Sequence, residues 1–393
     1  MKILMINVVC GVKSTGRICT DLAEELEKRG HKVKIAYGRG QVPKRHEKYA
    51  LKIGNNLSVR LHAIYARIFD ASGYGSYLAT KRLIRWIKKY DPDVIHLHNL
   101  HGYYLNLPLL FNYLKGCGKR VVWTLHDCWP ITGHCCYFDY CKCMKWKSCC
   151  GHCPQKREYP QSLLLDRSLN NLSDKKQLFT GIANMTLVTP SKWLASYIHE
   201  SYLSCYEIDV IHNWVNSKTF YPHKGNFKKE KSIKGKMIIG VAAIWDKRKG
   251  LEDLIKLNGL INPEDRIVIV GLTKQQIEKL PLSIIGINRT ENVQVLADIY
   301  ASADIYVNTS LEDNYPSTNL EAIACGTPVV SYDTGGCGES AELYGIKVPK
   351  GDIQKLKKAV YAILDGKIKL NYPDVAGLSN NSIKKYVKVL EGT

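Results

Sequence analysis

The stretch DIYVNTSLEDNYPSTNLEAIACGTPVVSYD, residues 304–333, predicts a strand, a loop, a helix and a second strand. DIYVNTS and TPVVSYD are short runs of apolar and β-branched residues, which is typical of strands in a buried parallel sheet. NLEAIACG has helical composition, and its Gly326 is a residue type that commonly ends a helix. Because a helix separates two strands of this kind, the stretch predicts a β–α–β unit of an α/β protein.

The same alternation runs through both halves of the chain. Strand-like runs flank amphipathic segments such as RICTDLAEELEKRG in the first half and VQVLADIYASA in the second. This order is typical of parallel sheets covered by helices on both faces. The segment YPHKGNFKKEKSIKGK, residues 221–236, interrupts the alternation with six lysines and few apolar residues, and we interpret it as a linker.

The predicted fold is therefore α/β, with two Rossmann-like domains facing each other across a cleft. We expect an N-terminal domain over residues 1–220 with a cysteine-rich insertion at 133–160, and a C-terminal domain over 237–375. Residues 376–393 form a closing helix, for which packing back on the N-terminal domain is one option. Ligands of open parallel sheets bind at the carboxyl ends of the strands, so the expected site lies in the cleft.

Composition and charge narrow the class of partner. The chain of 393 residues is 45% hydrophobic, which is enough for a large core, and its formal charge is +20. This charge favours phosphorylated ligands or an anionic membrane surface. No aromatic-interleaved basic motif of an RNA-binding module is present, so nucleic acid is not expected as a partner. Neither a signal peptide nor a membrane-spanning run is recognisable, so we expect a cytoplasmic protein, with the inner face of the cell membrane as one option.

Two acids bracket the polar loop of the opening stretch. Asp313 precedes the turn at Pro316, and Glu321 lies eight positions after Asp313, just inside the predicted helix. The backbone N–H groups of residues 317–319 would point out of the positive end of this helix, where a phosphate binds readily. A carboxylate at Glu321 can accept two hydrogen bonds from a ribose diol. The alternative is that both acids are only partners of the helix dipole.

Several motifs, in this order along the chain, resemble family-4 retaining glycosyltransferases of the GT-B fold, in particular enzymes that build bacterial surface polysaccharides such as capsule. The motifs are GVKSTGRI, HLHNLHG, TLHDCWPITG, TPSKWLA, VIHNWVN, WDKRKGLEDL and the paired acids followed by EAIACGTPVVSYDTGG. The resemblance implies transfer of a hexosyl or related group, with retention, from a UDP- or GDP-sugar to a hydroxyl of a lipid-linked glycan. It also implies that the N-terminal domain faces the acceptor and that the C-terminal domain binds the nucleotide sugar.

The resemblance assigns roles to the residues of the loop. Asp313 corresponds to the acid near the transferred sugar, with Glu312 as the alternative, and Glu321 corresponds to the acid that binds the ribose. The other donor-binding residues in the loop and in the glycine-containing turn after the first strand are Tyr315, Pro316, Ser317, Thr318, Asn319, Gly11 and Gly16. For the two glycines, an ordinary turn is the alternative.

Basic and histidine side chains complete the predicted site. Lys249, with Arg248 beside it, would neutralise a leaving diphosphate, and a solvated basic turn is the alternative. The resembled family places an arginine six positions before this lysine, where this chain has Ala243. His126 by itself fits a core histidine, and the resemblance places it in the sugar pocket. Asp313, His126 and Lys249 are the predicted catalytic residues, and His96, His98 and His101 are weaker candidates.

Metal ions are expected only in a structural role. No D-x-D motif stands at the carboxyl end of a strand, so no catalytic metal is expected. Seven cysteines lie between positions 135 and 153, and in a reducing compartment a dense cluster fits a metal better than disulfides. We expect structural Zn²⁺ held by Cys135, Cys141, Cys150 and Cys153, with free thiols or disulfides as the alternatives.

Two basic segments with aromatic residues, 59–69 and 77–90, have the composition of helices that lie on an anionic membrane, and plain domain packing is the alternative. A lipid-linked acceptor would explain such a surface. Two other functions stay open beside the transferase. One is a nucleotide-sugar 2-epimerase of the same fold, which needs no acceptor. The other is a non-catalytic, zinc-stapled protein that binds polyanions in a salt-sensitive way.

Overall fold

The computed structural model describes residues 1–290 and 292–393. The chain divides into two compact units. The first unit consists of Met1–His212 together with Ser382–Thr393, and the second unit consists of Asn213–Asn381.

The first unit is built on a seven-stranded parallel sheet with the strand order β3-β2-β1-β4-β5-β6-β7. Its strands are β1 Lys2–Asn7, β2 Lys32–Tyr37, β3 Ala50–Lys52, β4 Val94–Leu97, β5 Arg120–Thr124, β6 Met185–Thr189 and β7 Glu207–Val210. Its helices are α1 Lys13–Lys28, α2 Asn56–Phe69, α3 Tyr77–Tyr90, α4 Leu107–Gly116, α5 Ser168–Phe179 and α6 Lys192–His199.

The second unit is built on a six-stranded parallel sheet with the strand order β10-β9-β8-β11-β12-β13. Its strands are β8 Met237–Val241, β9 Arg266–Val270, β10 Ile284–Ile287, β11 Ile305–Asn308, β12 Val329–Tyr332 and β13 Gly345–Val348. The helices are α7 Phe227–Glu230, α8 Leu251–Asn258, α9 Lys274–Glu278, α10 Val293–Ser302, α11 Ser317–Ala324, α12 Cys337–Ala341, α13 Ile353–Leu364 and α14 Val375–Glu391.

The central strands are runs of mainly apolar residues because both of their faces are buried. Every residue of β4, β8 and β11 is buried, because helices cover both faces of each sheet. The covering helices are amphipathic. In α1 the buried positions include Ile18, Leu22 and Leu26, which recur every four residues and therefore share one face.

The order of the strands places one crevice on each sheet. In the first sheet the connections diverge between β1 and β4, and in the second sheet they diverge between β8 and β11. The loops that leave the carboxyl ends of such neighbouring strands separate and leave room for a ligand. The predicted site residues lie in the loops after β1, β5, β8 and β11 or in the helices that follow β1 and β11, so each sheet presents its candidates at the expected edge.

The predicted fold class, two Rossmann-like α/β domains, is confirmed. Three short edge or near-edge strands, β3, β10 and β13, were not predicted from the sequence. They contain three or four residues each, and β13 begins with a glycine, so their pattern is too short to be recognised.

The lysine-rich segment differs from the linker expected at 221–236. In the structure it belongs to the second unit. Phe227 and Ile233 are buried there, and the backbone N–H groups of Asn226 and Phe227 donate to the carboxylate of Asp298. Two apolar side chains are enough to fix a segment whose lysines stay in solvent.

The last helix, α14, begins in the second unit, and its residues from Ser382 onward belong to the first unit. The hydroxyl of Tyr386 lies 3.2 Å from the hydroxyl of Thr124 at the end of β5. Arg120 at the start of β5 donates to the carbonyl of Val389 over 3.0 Å. The end of the chain is thus part of the wall of the first unit.

Within residues 1–290 and 292–393, no helix is both long enough and apolar enough to cross a membrane.

Candidate functional site

An acid and two basic residues meet at the carboxyl edge of the second sheet. The ammonium group of Lys249, in the turn after β8, forms an ion pair with the carboxylate of Asp313, in the loop after β11. The guanidinium of Arg248 lies 3.8 Å from the same carboxylate and donates to the carbonyl of Glu312 over 2.6 Å. The structure therefore brings together Asp313, Lys249 and Arg248, although the acid and the two cations are separated by more than sixty positions in the sequence.

These contacts keep the acid ionised. Burial alone would raise the pKa of Asp313, but the positive charges of Lys249 and Arg248 outweigh it and lower the pKa below its usual value. The backbone N–H of Asn314 also donates to this carboxylate over 2.9 Å. Asp313 is therefore a fixed negative charge at neutral pH, held next to two cations.

The neighbouring acid, Glu312, has a different environment. Its side chain is completely buried, whereas the side chain of Asp313 is 14% exposed. A ligand at the sheet edge can reach Asp313 and cannot reach Glu312 without rearrangement. Geometry thus favours Asp313 as the first acid of the motif.

Two glycines set the close approach of the loops around this ion pair. Gly250 follows Lys249 with a φ of +68°, and a Cβ atom there would lie 2.1 Å from the carbonyl oxygen of Thr309. Gly335 has a φ of +56°, and a Cβ atom there would lie 1.9 Å from the carbonyl oxygen of Asp313. Only glycine allows the backbone to pass so close to the loop that carries the acid.

The loop after β11 leads into helix α11, whose N-terminus has no side-chain cap. The N-cap residue is Pro316, which offers no side-chain acceptor, and the first turn contains no acidic residue. Ser317 and Thr318 are half-buried, while Tyr315 and Pro316 are buried. The open N-terminus of α11 is the feature that a phosphate group uses.

Glu321 and Asn319 lie inside the same helix and are both buried. The hydroxyl of Tyr300 donates to the carboxylate of Glu321 over 3.4 Å. The side-chain amide of Asn319 is engaged within the second unit. Its amide nitrogen donates to Ser340 over 2.9 Å and to the carbonyl of Cys337, and its amide oxygen accepts from Asn308 over 2.8 Å. These internal hydrogen bonds make Asn319 a residue that fixes α11 against its neighbours.

In the first unit, three histidines cluster at the carboxyl ends of β4 and β5. His98 Nδ1 lies 3.0 Å from His126 Nε2, and the rings of His96 and His98 are 4.0 Å apart between centroids. His96 and His98 are buried, and His126 is half-buried. Burial lowers the pKa of His96 to about 3 and that of His126 to about 4, so the cluster is neutral at physiological pH.

A histidine–aspartate pair lies beside this cluster. His101 Nε2 is 2.7 Å from Asp127 Oδ2, and Asp127 Oδ1 accepts from the backbone N–H of Trp129 over 2.9 Å. The hydroxyl of Tyr159 lies 3.1 Å from His101 Nδ1. His98 and His101 were only weaker candidates from the sequence. The signal that identifies them is strand pairing, since β4 and β5 are neighbours and their carboxyl ends meet.

The glycines after β1 have structural reasons for being glycine. Gly11 has a φ of +69°, and a Cβ atom there would lie 2.5 Å from His46 Nδ1. A Cβ atom at Gly16 would lie 3.0 Å from the side chain of Val9. The N–H of Gly11 donates to the carbonyl of Gly16 over 3.0 Å. The turn before α1 is therefore closed on itself, which fits the ordinary-turn alternative at least as well as close ligand approach.

Among the predicted zinc ligands, the structure gathers some and separates one. Cys135, Cys150 and Cys153 line one pocket, together with Cys143. Cys141 is engaged elsewhere, since its sulfur accepts from the amide of Gln155 over 3.0 Å.

The predicted catalytic and donor-binding residues are distributed over both units. Gly11, Gly16 and His126 lie in the first unit, and the others lie in the second.

Two parallel sheets of Rossmann type, each with its candidate residues at the carboxyl edge, define the GT-B class of fold. Solved structures agree. Sucrose-phosphate synthase from Thermosynechococcus elongatus is similar with a TM-score of 0.67 and 17% identity, over 99% of this chain and 94% of that one. HepE from Anabaena, in complex with UDP-glucose, is similar with a TM-score of 0.65 and 14% identity, over 99% and 100% of the two chains.

Family models match both halves of the chain. Residues 15–219 match Glycosyltransferase Family 4, and residues 235–366 match Glycosyl transferases group 1. The chain belongs to glycosyltransferase family 4. It is 24% identical over 362 residues to the putative colanic acid biosynthesis glycosyl transferase WcaC of Escherichia coli K12, which covers 88% of this chain and 87% of WcaC. The predicted resemblance to this family is thereby confirmed.

Proposed function

We propose that this glycosyltransferase moves a sugar from a UDP- or GDP-sugar to a hydroxyl of a lipid-linked glycan during synthesis of a bacterial surface polysaccharide, with retention at the anomeric carbon. The observation that carries the proposal is the pairing of Lys249 and Arg248 with Asp313, beside the uncapped N-terminus of α11. Cations, a helix N-terminus and an ionised acid are the groups that a diphosphate attached to a sugar requires at one place.

The basic residues would act on the leaving group. Breaking the glycosidic bond leaves negative charge on the nucleoside diphosphate, and Lys249 and Arg248 are already held at the sheet edge where this charge appears. Fixed cations need no reorganisation at the moment of reaction, so they stabilise the transition state more than the bound donor. In this arrangement they would take the place of a catalytic metal ion.

The acids would act on the sugar and the ribose. Asp313 is ionised and partly exposed, so it can stabilise positive charge that develops on the transferred sugar. Glu321 lies inside α11, eight positions later, and its carboxylate can accept hydrogen bonds from the ribose hydroxyls. His126 is the half-buried member of the histidine cluster and is the one that a sugar can contact.

Similar proteins support the choice of donor and pathway. HepE is described in complex with UDP-glucose, which makes uridine diphosphate sugars the first donors to test. WcaC is described as a putative glycosyl transferase of colanic acid biosynthesis, which supports a role for this chain in polysaccharide synthesis. These descriptions also favour the transferase over a non-catalytic polyanion-binding protein.

An exposed apolar surface on the first unit supports the proposal of a lipid-linked acceptor. One face of α2 exposes Leu57, Leu61, Ile64 and Tyr65. Leu163 to Leu165 lie against the end of α2, where the backbone N–H of Leu163 donates to the carbonyl of Arg67, and these three leucines are also exposed. We call the exposed apolar residues of α2 and 163–165 the leucine surface.

The charges around the leucine surface match an anionic membrane. Helices α2 and α3 together contain seven arginines and lysines and no aspartate or glutamate. Exposed leucines next to basic residues are the composition of a helix that lies in the headgroup region of an acidic bilayer. The lipid part of an acceptor would then stay in the membrane while its glycan reaches the first unit.

The proposed donor site is tested by calorimetric titration of the purified protein with UDP, GDP, UDP-glucose and GDP-mannose. We expect saturable binding of one nucleotide family, lost in Glu321→Ala and weakened in the isosteric Glu321→Gln. Glu252→Gln, an exposed glutamate in the first turn of α8, is the matched control and should bind like the wild type. No binding of either nucleotide by a folded wild-type protein would contradict the proposal.

A further inference from the structure

The cysteine-rich insertion, residues 133–160, has little core of its own. Its regular structure is limited to the helical turn Lys145–Lys147, and its largest buried side chains are Phe138 and Trp146. A loop of this length with almost no regular secondary structure needs additional interactions to hold it in one conformation. The four thiols of the insertion that line one pocket are the candidates for these interactions.

These thiols line a single small pocket: Cys135, Cys143, Cys150 and Cys153. Cys135 is buried, and the other three are half-buried, so the pocket is sheltered but reachable. The spacing is C-x7-C-x6-C-x2-C, and its last pair is the short knuckle that structural zinc sites use. We call this feature the thiol pocket.

The structure replaces one ligand predicted from the sequence. The Cys141 sulfur accepts from Gln155 and donates to the carbonyl of Phe138 over 3.2 Å, and Cys141 is not part of the pocket wall. Cys143, two positions later, is in the wall. The sequence spacing alone could not distinguish Cys141 from Cys143, because either residue can form a second ligand pair with Cys135 beside the pair Cys150 and Cys153.

Two buried polar atoms in the wall of the thiol pocket lack a hydrogen-bond partner among the described residues. They are His134 Nε2 and Trp146 Nε1. His134 Nδ1 lies 2.5 Å from Asp70 Oδ1, so a carboxylate orients the ring through one nitrogen, while Nε2 has no partner among the described residues. A carboxylate behind a histidine is the arrangement found around metal centres. The indole N–H of Trp146 can only donate, and a metal-bound thiolate would accept from it.

A buried lysine, Lys175, lies next to the same wall. The ammonium group of Lys175 donates to the carbonyls of Trp129 and Thr132, over 2.7 and 2.9 Å, and lies 3.6 Å from the centre of the Trp129 ring. Thr132 itself lines the thiol pocket. Burial lowers the pKa of Lys175 to about 7. A divalent ion held by four thiolates carries a net negative charge, which would favour the protonated form of this lysine.

We propose that the thiol pocket binds one Zn²⁺ through Cys135, Cys143, Cys150 and Cys153. Zn²⁺ accepts four thiolates in a tetrahedral arrangement, at about 2.3 Å from each sulfur, and adds no redox chemistry. The ion anchors the insertion to the first unit, and through it fixes Tyr159, which contacts His101 at the sheet edge.

A competing position is already satisfied without an ion. Among the described residues, His101, Asp127 and Cys136 have their ligand atoms within 4.8 Å of one another. His101 and Asp127, however, hydrogen-bond to each other, and their remaining atoms bond to Tyr159 and to the backbone of Trp129. The sulfurs of the thiol pocket are less tightly gathered, so binding of the ion draws the loop inward around it.

The experiment measures metal content by mass spectrometry after purification under reducing conditions, with the single variants Cys143→Ser and Cys141→Ser as a matched pair. We expect one zinc per wild-type chain and per Cys141→Ser chain, and at least tenfold less zinc per Cys143→Ser chain. Loss of zinc in Cys141→Ser with retention in Cys143→Ser would overturn the ligand set.

Cobalt substitution keeps the test decisive if Cys143→Ser does not fold. Wild-type protein reconstituted with Co²⁺ should show the sulfur-to-cobalt charge-transfer absorption of a four-thiolate tetrahedral site. Wild-type protein that binds neither zinc nor cobalt stoichiometrically, or whose cobalt spectrum lacks thiolate bands, would refute the proposal.

Discussion

At the scale of single residues, the pairing of Lys249 with Asp313 joins two loops of the second unit. Both side chains are mostly buried, with 18% and 14% of their surface exposed. An ion pair at this depth is screened less by solvent than one on the surface, and removing one partner leaves the other charge uncompensated. The pair is therefore a sensitive position for substitution.

We predict that Lys249→Met weakens binding of the nucleoside diphosphate by roughly 10- to 100-fold, because a charged hydrogen bond to phosphate contributes about 1.5–3 kcal/mol. The same substitution should slow release of the nucleoside diphosphate from its sugar by about 100- to 1,000-fold. Calorimetry and a coupled assay for the released nucleotide measure the two effects. Lys247→Met, an exposed lysine in the same turn, is the control and should change neither quantity.

The sequence motifs identify single site residues, but they do not give the contacts between residues that are distant in the chain. The paired acids and the basic turn are recognisable as motifs, but the contact between positions 249 and 313 depends on the adjacency of β8 and β11. The internal hydrogen bonds of Asn319 were missed for a similar reason. Its partners, Asn308 and Ser340, come from a strand and a helix that local sequence does not place beside it.

At the scale of elements, the turn between β8 and α8 depends on one glycine. Gly250 has a left-handed backbone, and a methyl group added there would lie 2.1 Å from the carbonyl oxygen of Thr309. We predict that Gly250→Ala lowers the free energy of unfolding by about 1–3 kcal/mol and weakens nucleotide binding, because the turn carrying Lys249 must move. Urea unfolding and calorimetry measure both.

Gly259→Ala provides the comparison for this prediction. Gly259 caps the other end of α8 with a φ of −73°, and its Cβ atom would lie 3.5 Å from the nearest atom. We expect the free energy of unfolding of the Gly259→Ala variant to differ from that of the wild type by less than about 0.5 kcal/mol. Equal losses in the two variants would show that the conformation of Gly250 is unimportant.

The leucine surface leads to a second prediction at this scale. We expect the protein to float with vesicles that contain phosphatidylglycerol and to remain behind with vesicles of phosphatidylcholine alone. The double substitution Leu61→Ser and Leu164→Ser should reduce the bound fraction by about tenfold or more, because each buried leucine contributes about 1.5–3 kcal/mol. Leu282→Ser, at an exposed leucine of the second unit, should bind as the wild type does. Equal binding of all variants to phosphatidylglycerol vesicles would contradict the proposal that the leucine surface contacts a membrane.

The elements themselves were largely predictable. Long apolar strands such as β8 and periodic helices such as α1 follow from local pattern. The short strands β3 and β13 do not follow from local pattern, because pairing with the neighbouring strands β2 and β12 provides most of their stabilisation. The lysine-rich segment was expected to be a linker, and its composition gives no sign that Phe227 and Ile233 are buried.

At the scale of the whole molecule, buried neutral histidines make the first unit sensitive to acid. Burial lowers the pKa of His62 to about 4, as it does for His126, and it lowers that of His96 to about 3. The unfolded chain binds protons at these residues below about pH 6.5, and the folded chain does not until about pH 4. The contribution of these histidines to stability is therefore complete above about pH 6.5 and falls as the pH drops through this window.

We predict that the free energy of unfolding decreases between pH 7 and pH 5 by roughly 1–2 kcal/mol for each of these histidines. Urea titrations at the two pH values measure the difference. His62→Gln should show a smaller decrease than the wild type, whereas His199→Gln, at an exposed position on α6, should show the full decrease. A wild-type protein with the same stability at both pH values would contradict this account.

The path of the last helix has a consequence for synthesis of the protein on the ribosome. Ser382–Thr393 complete the first unit, and Tyr386 and Leu390 are buried there, although most of that unit is translated first. Nascent chains usually fold their N-terminal domains while the rest is still being made. Here the sheet of the first unit must wait, with the end of β5 uncovered, until the ribosome has passed the codon for Leu390. A chain released early would carry two sheets and complete only one of them, which makes residues 382–393 an unsuitable place for truncation.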